Sequence, residues 1–218
     1  MYVVNPGERS PLGRQRIVAT AIALADADGV GSLSMRKLAR ELGFEVMSLY
    51  NHVANKDELL GLMVDEVAGE IRLPEGEAPL AAIRELTVRT REIHLRHPWV
   101  PTLWLRHVPG PNRQVLMETL LRLFADSGLS PELAHHGFHA VGNHVLGSTL
   151  QEPGMEMAMG ADPDHVARDF LDGFPDDEFP HSIAHVRQHL AGETSSSFEL
   201  VLDLILDGLV RLDAAGGE

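Results

Sequence analysis

The sequence predicts an all-α protein of 218 residues, with a small helical domain at its N-terminus and a larger one after it. Three observations carry that prediction. Apolar residues recur at helical spacing along nearly the whole chain. Alternating, strand-like runs are absent, and aromatic residues make up only 5%. Gly and Pro fall mostly between the periodic segments, where helices start and stop.

The first helix reads from Gly13 to Asp28, with Ile17, Ala21, Leu24 and Ala25 on one face and Gly29 as its stop. Ser34 is a good N-cap for a short helix that reaches Leu42, where Gly43 ends it. A second short helix is expected from about Val46 to His52. Asn55 caps the next, which carries Asp57 and Glu58 in its first turn and runs to about Ile71. The stretch 73–80, LPEGEAPL, is the best linker candidate. Helical patterns resume at about 79–97, 99–107, 112–127 and 131–151. A Gly-, Pro- and Met-rich loop is expected over 152–163, with Met155, Met157 and Met159 as a soft lid over a ligand or, alternatively, as part of a mobile loop. One short and one medium helix fit between Asp162 and Leu190, and Ser195–Ser197 cap a last helix over 198–213. The domains are expected at 1–60 and 61–218.

Composition narrows the function classes. With 44% apolar and 23% charged residues, the chain is that of a folded globular protein. The absence of cysteine excludes disulfides, thiolate nucleophiles and Cys-based metal sites. The N-terminus has no apolar core of signal-peptide length, and no run reaches the ~20 apolar residues of a membrane span. A cytoplasmic protein without a membrane partner is therefore expected. The formal net charge of −14 argues against nucleic acid at first sight. That charge is unevenly placed, because residues 1–60 are neutral overall and residues 61–218 carry the whole excess.

The segment 33–60, LSMRKLARELGFEVMSLYNHVANKDELL, carries the most information. Leu38, Ala39 and Leu42 face inward from one short helix, and Leu49 and Val53 from the next. Ala39 is small where the helices cross, and Gly43 supplies the positive φ of a C-terminal cap. These are the requirements of a helix-turn-helix, whose second helix lies in the major groove. Val46, Met47, Ser48, Tyr50, Asn51 and His52 remain outside. They offer methyl contacts to thymine, amide and hydroxyl hydrogen bonds, and a phenol for phosphate. Arg36 and Lys37 sit in the first turn of the preceding helix, near base edges or phosphate, and Lys56 sits at another helix start. Spacing alone leaves open that 33–60 is a plain helical hairpin of the core.

Residues 13–60 resemble the N-terminal DNA-binding domain of the TetR family of bacterial repressors. RKLA-x-x-LG, SLYNHV and NK-x-x-LL carry the resemblance. It implies an N-terminal three-helix DNA-binding domain with a helix-turn-helix, followed by an α-helical ligand-binding and dimerisation domain. It also implies that Arg36, Val46, Met47, Ser48, Asn51 and His52 face the bases of a double-stranded operator, while Ser34, Tyr50 and Lys56 hold phosphates. Segments 127–150 and 198–212 are similar to the tetracycline-repressor subclass, in which the corresponding helices form the four-helix bundle of a homodimer. Where that subclass carries the His and Glu linked to tetracycline's magnesium, this chain carries Trp104 and Gln151, which argues against tetracycline–Mg²⁺ as the inducer.

The last helix is apolar over most of its circumference and must be covered on more than one side. Phe198, Val201, Leu202, Ile205 and Leu209 are the candidate dimerisation residues, with a central core helix of a monomer as the alternative. Candidate effector-binding residues are Trp99, Leu103, Trp104, His107, Phe138, Asn143, His144 and Gln151. The paired Trp residues suggest an apolar or aromatic small molecule, or else core packing. Eleven of the 12 His lie beyond residue 60. The sets His135, His136, His139 and His181, His185, His189 have helical spacing, so an all-α metal- or cofactor-binding enzyme is the rival class. With no Cys and no nearby paired carboxylate to complete a site, no metal and no cofactor are expected. The chain has no GxSxG, P-loop or dinucleotide fingerprint, so no catalytic residue is named.

Overall fold

The computed structural model describes residues 11–159, 163–174, 178–190 and 197–216. They form eleven α-helices and one 3-10 turn, with no strand among the described residues. The chain divides into two compact units: residues 1–71 with 99–116, and residues 72–98 with 117–218. The first therefore takes in, besides 1–60, the helix that begins at Lys56 and a segment some 30 residues further on.

In the first unit, α1 (Arg14–Asp28) buries Ile17, Val18, Ala21 and Ala25. Gly29, at φ 77°, ends it in a conformation that side chains resist. After the 3-10 turn Val30–Ser32, the Ser34 hydroxyl accepts the Lys37 N–H (3.2 Å) and starts α2 (Met35–Leu42). Gly43, at φ 75° and ψ 32°, turns the chain, and the Phe44 N–H closes on the Ala39 carbonyl (3.0 Å). The one-turn helix α3 (Val46–Tyr50) follows and is shorter than expected; His52 and Val53 instead bond back to the Leu49 carbonyl. Asn55 caps α4 (Lys56–Ala68) by accepting the Glu58 N–H (2.8 Å), while the Glu58 carboxylate accepts from the Ala54 N–H. α4 stops three residues before Ile71, and its last carbonyls are taken up by the turn amides of Glu70 and Ile71. Leu38, Leu49, Val53, Leu59 and Met63 are all sealed in this unit's core.

The segment 99–116 adds α6 (Val100–Leu103) and the first turns of α7 (Pro111–Ala125). α6 was expected to reach 107. It ends at Leu103, whose carbonyl accepts the Arg106 N–H (3.0 Å) in a tighter turn, and the Arg113 guanidinium takes the carbonyls of Trp104 and His107 beyond it.

The second unit is built on α5 (Pro79–Arg96), α8 (Pro131–Met159) and α11 (Ser197–Gly216), which pack on one another, with α9 (Pro163–Gly173) and α10 (Pro180–Leu190) beside them. Gly137 of α8 marks the tightest approach. A Cβ there would lie 2.5 Å from the Phe124 ring and 2.8 Å from Leu209. Arg84 of α5 fastens α11, with Nε 2.7 Å from Asp203 and Nη2 2.8 Å from Glu199. The two acids hold its guanidinium above the usual arginine range. The loop expected over 152–163 is corrected: α8 continues to Met159. Pro153 forfeits one helical hydrogen bond, but its φ suits a helix, and Glu152, Met155, Glu156, Met157, Ala158 and Met159 are good helix formers. The side chains of the proposed Met lid lie outside the described residues, as does the Ser195–Ser196 part of the expected cap.

His94 of α5 is 1% exposed, and burial, aided by nearby His97, pushes its pKa down to about 4. The folded value lies below the ordinary one, so on acidification the unfolded chain takes up this proton first, and stability falls as pH drops from about 6.5 toward 4. Between pH 7.5 and pH 5 this one group should remove about 2 kcal/mol. Urea unfolding of the wild type and of His94→Leu at both pH values checks it: the variant should lose that much less on acidification.

Candidate nucleic-acid interface

All ten candidate DNA-contacting residues lie in the first unit, on or beside α2, α3 and the start of α4. The apolar halves of the two short helices are spent inside: Leu38, Ala39, Leu42, Leu49 and Val53 are all buried. What they leave outside is the candidate surface. Met47 is 73% exposed, Tyr50 is 41% exposed, and Ser34, Arg36 and Asn51 are exposed. Val46, Ser48, His52 and Lys56 are half-buried beside them. A 73% exposed methionine on a folded one-turn helix has no role in the chain's own core; its chemistry suits a thymine methyl.

Lys37 differs from the other nine. Its ammonium lies 2.7 Å from Asp28 and 3.1 Å from the Ser32 hydroxyl, so it already ties the start of α2 to the end of α1. Arg14 was not singled out in the sequence, yet its Nε donates to the His52 carbonyl (3.1 Å) and its guanidinium lies 3.8 Å from Glu58. It fixes the end of α3 from the first turn of α1. The signal was a lone basic residue at a helix start, which is too common to act on.

The candidate effector residues divide four and four. Trp99, Leu103, Trp104 and His107 belong to the first unit; Phe138, Asn143, His144 and Gln151 lie along α8 in the second. Both indoles are engaged. The Trp99 N–H donates to Asp26 (2.7 Å), and Trp104 lies under the Arg113 guanidinium at 4.8 Å. His107 Nδ1 is 3.9 Å from Asp57. His144 stacks on Phe198 at 4.4 Å and bonds its carbonyl at 2.8 Å. Phe138 is half-buried, and Asn143 and Gln151 are exposed.

Of the five candidate dimerisation residues, Phe198, Leu202 and Leu209 are buried inside the second unit, and Val201 and Ile205 are half-buried. The exposed apolar residues of α11 are instead Leu200 (64%), Leu204 (56%), Val210 and Leu212 (62%). Leu200, Leu204, Gly208 and Leu212 follow one another at i+4, so they form one stripe. A Cβ on Gly208 would meet nothing within 4 Å.

Among the described residues no group of three or more His, Asp or Glu is placed to hold a metal ion. His135 and His139 meet edge to face at 4.7 Å on the exposed side of α8, and His181 and His185 are exposed on α10. The His189 side chain lies outside the described residues. No described helix is long and apolar enough to cross a membrane.

A left-handed glycine turn between two short helices, packed on an α1 that also carries α4, defines a helix-turn-helix protein with a second all-α unit. Residues 17–63 match the family described as bacterial regulatory proteins, tetR family, and residues 75–212 match the tetracyclin repressor-like C-terminal domain. The chain belongs to the tetR family of bacterial regulatory proteins. It is 38% identical over 148 residues to an HTH-type transcriptional regulator of Saccharopolyspora erythraea, and 39% identical over 135 residues to the HTH-type transcriptional repressor DrrR1 of Streptomyces coeruleorubidus. These stretches cover 65% and 58% of this chain, and 61% and 49% of the two relatives, so the chain spans about half to three fifths of their length. Its structure is similar to that of the Streptomyces coelicolor TetR family protein ActR in complex with actinorhodin, at 34% identity and a TM-score of 0.78. That match covers 96% of this chain and 100% of the other.

The Trp99–Asp26 bond gives a local test. Trp99→Phe keeps the ring and deletes the donor, and is expected to cost about 1 kcal/mol. It would be read as a lower urea midpoint at an unchanged m-value.

Proposed function

We propose that the chain is a homodimeric, ligand-responsive transcriptional repressor that acts in the cytoplasm and is not an enzyme. Two copies of α3 read the half-sites of a palindromic DNA operator, and a small molecule releases them. One observation carries the reading. The α2–Gly43–α3 element spends its apolar side on the core and turns Arg36, Met47, Tyr50 and Asn51 outward, which is a surface with no use inside the folded chain. The domain boundary near residue 60 belongs to the same reading.

Charge placement supports it. The reader segment 1–60 is neutral overall, while residues beyond it carry the −14, so the excess of acids that would repel phosphate lies outside the reader segment. Arg36 and Asn51 are suited to base edges, and Ser34, Tyr50 and Lys56 to phosphates. Lys37 serves through Asp28 by positioning α2. The partner subunit is expected on the stripe Leu200–Leu204–Gly208–Leu212, where an open glycine lets a second helix come close. The stripe replaces Phe198, Leu202 and Leu209, which the chain's own core has taken.

A small-molecule effector is supported by the likeness to ActR, which is seen with actinorhodin. The effector is proposed to be apolar or aromatic. Trp104 and Gln151, where the tetracycline repressors bind their magnesium-linked drug, set it apart from tetracycline–Mg²⁺. Release requires that the effector bind the operator-incompetent state more tightly than the competent one.

Selection from a random duplex pool tests the reading, and failure to enrich any sequence would sink it. On the enriched duplex, Lys56→Ala removes one phosphate contact from each subunit; it should weaken specific and non-specific binding alike and reduce the salt slope by about 2. Asn51→Ala should cost about 1–3 kcal/mol per half-site and relax the preference at one base position in each. Leu204→Glu should yield a folded monomer by light scattering, with weakened operator binding. A dimer that survives Leu204→Glu would place the interface elsewhere.

A further inference from the structure

The start of α7 is capped by a residue 45 positions away. The Gln114 N–H bonds the Gly110 carbonyl (2.9 Å), so Gly110 holds the N-cap position, where a side chain normally accepts the next free amides. Glycine has none to offer. Pro111 brings no N–H, which leaves the amides of Asn112 and Arg113. Both go to Asp65 of α4: Oδ2 accepts from Asn112 (3.2 Å) and Oδ1 from Arg113 (3.0 Å). The Asn112 side chain returns a bond to the Asp65 carbonyl (3.0 Å).

Two glycines make room for this joint. A Cβ on Gly110 would lie 2.5 Å from the Asp65 carboxyl carbon and 2.6–2.7 Å from its oxygens. A Cβ on Gly69 would lie 2.8 Å from the Asn112 amide nitrogen. Arg113 then fastens the loop in front of α7, donating to the carbonyls of Trp104 and His107 and stacking on the Trp104 ring. Asp65 is 8% exposed, so water cannot replace these bonds without opening the joint.

α4 also begins beside the reading helix. Lys56, its first residue, precedes Asp65 by nine positions, or roughly 13 Å along the axis. One rigid element therefore carries a candidate phosphate contact at one end and the cap of α7 further along. The remainder of α7, from Met117, belongs to the second unit. A shift or rotation of α4 would withdraw the carboxylate from both amides, and fraying of the first turn of α7 would release α4.

We propose that Asp65 is a positioning residue that couples operator binding to the first turn of α7, because that turn has no cap of its own and takes its order from the seat of α4. The inference rests on the operator-binding reading above. By linkage, whatever frays that turn should weaken the operator complex, and the operator should order the turn.

Amide hydrogen exchange of the full-length protein, with and without its enriched duplex, tests it. In the wild type, the duplex should slow exchange at Asn112 and Arg113 several-fold. In Asp65→Ala, these amides should exchange at least tenfold faster and ignore the duplex. Asp65→Ala combined with Gly110→Ser gives α7 a local cap. Slow exchange and thermal stability should return, while the response to the duplex stays lost. A merely structural Asp65 predicts that both return, and that outcome overturns the proposal, as does a wild type that binds the duplex with no change at these amides. If the pool yields no duplex, the operator reading fails and takes the proposal with it. Should Asp65→Ala not fold, Gly110→Ala evicts the carboxylate without altering it, and the same slow-versus-responsive comparison applies.

Discussion

A helix of five residues cannot satisfy its own backbone. Its first amides and last carbonyls lack intrahelical partners, and a turn this short is unstable in water by itself. α3 exists because neighbours close its ends: Glu45 and Leu49 carbonyls take up nearby amides, and Arg14 reaches over from α1 to the His52 carbonyl. The same demand recurs through the first unit. Ser34 opens α2, Gly43 closes it, Asn55 and Glu58 together open α4, and Asp65 opens α7. The α2–α3 surface is held in place by these end-groups as much as by the core beneath it.

Local end-groups were legible in the sequence, because cap and capped amide lie within three or four residues. Ser34, Gly43 and Asn55 were identified in that way, and so were the inward residues Leu38, Ala39, Leu42, Leu49 and Val53. Asp65 was not, since its amides lie 47 and 48 positions on and nothing in VDEVA announces a distant partner. The chain after α6 was missed for a similar reason, as its Trp104 and His107 carbonyls are held by Arg113 from the start of α7. At 152–159, Gly and Pro were read as breakers, although one proline with a helical φ and a run of Met, Glu and Ala continues a helix.

α11 shows a different limit. Apolar on nearly every side, it gives no periodic signal for which side faces home. In the structure, Arg84 ties Glu199 and Asp203 to α5. Phe198, Leu202 and Leu209 turn inward, and Leu200, Leu204 and Leu212 are left outside. The candidate effector residues were read partly from the rarity of Trp, and composition cannot reveal that Asp26 and Arg113 already engage both rings.

Between Glu45 and Ala54 only Leu49 and Val53 are buried. Apart from the backbone bonds at its ends, α3 and the turn after it are therefore anchored by two side chains, and the remaining side chains make little demand on folding. On the operator-binding proposal, substitutions there would change what the surface offers to DNA while leaving the scaffold's stability nearly intact. Such a protein can be re-addressed, in evolution or by design, by a few exchanges along a single turn. Duplicated copies can part company over their targets long before they diverge in fold.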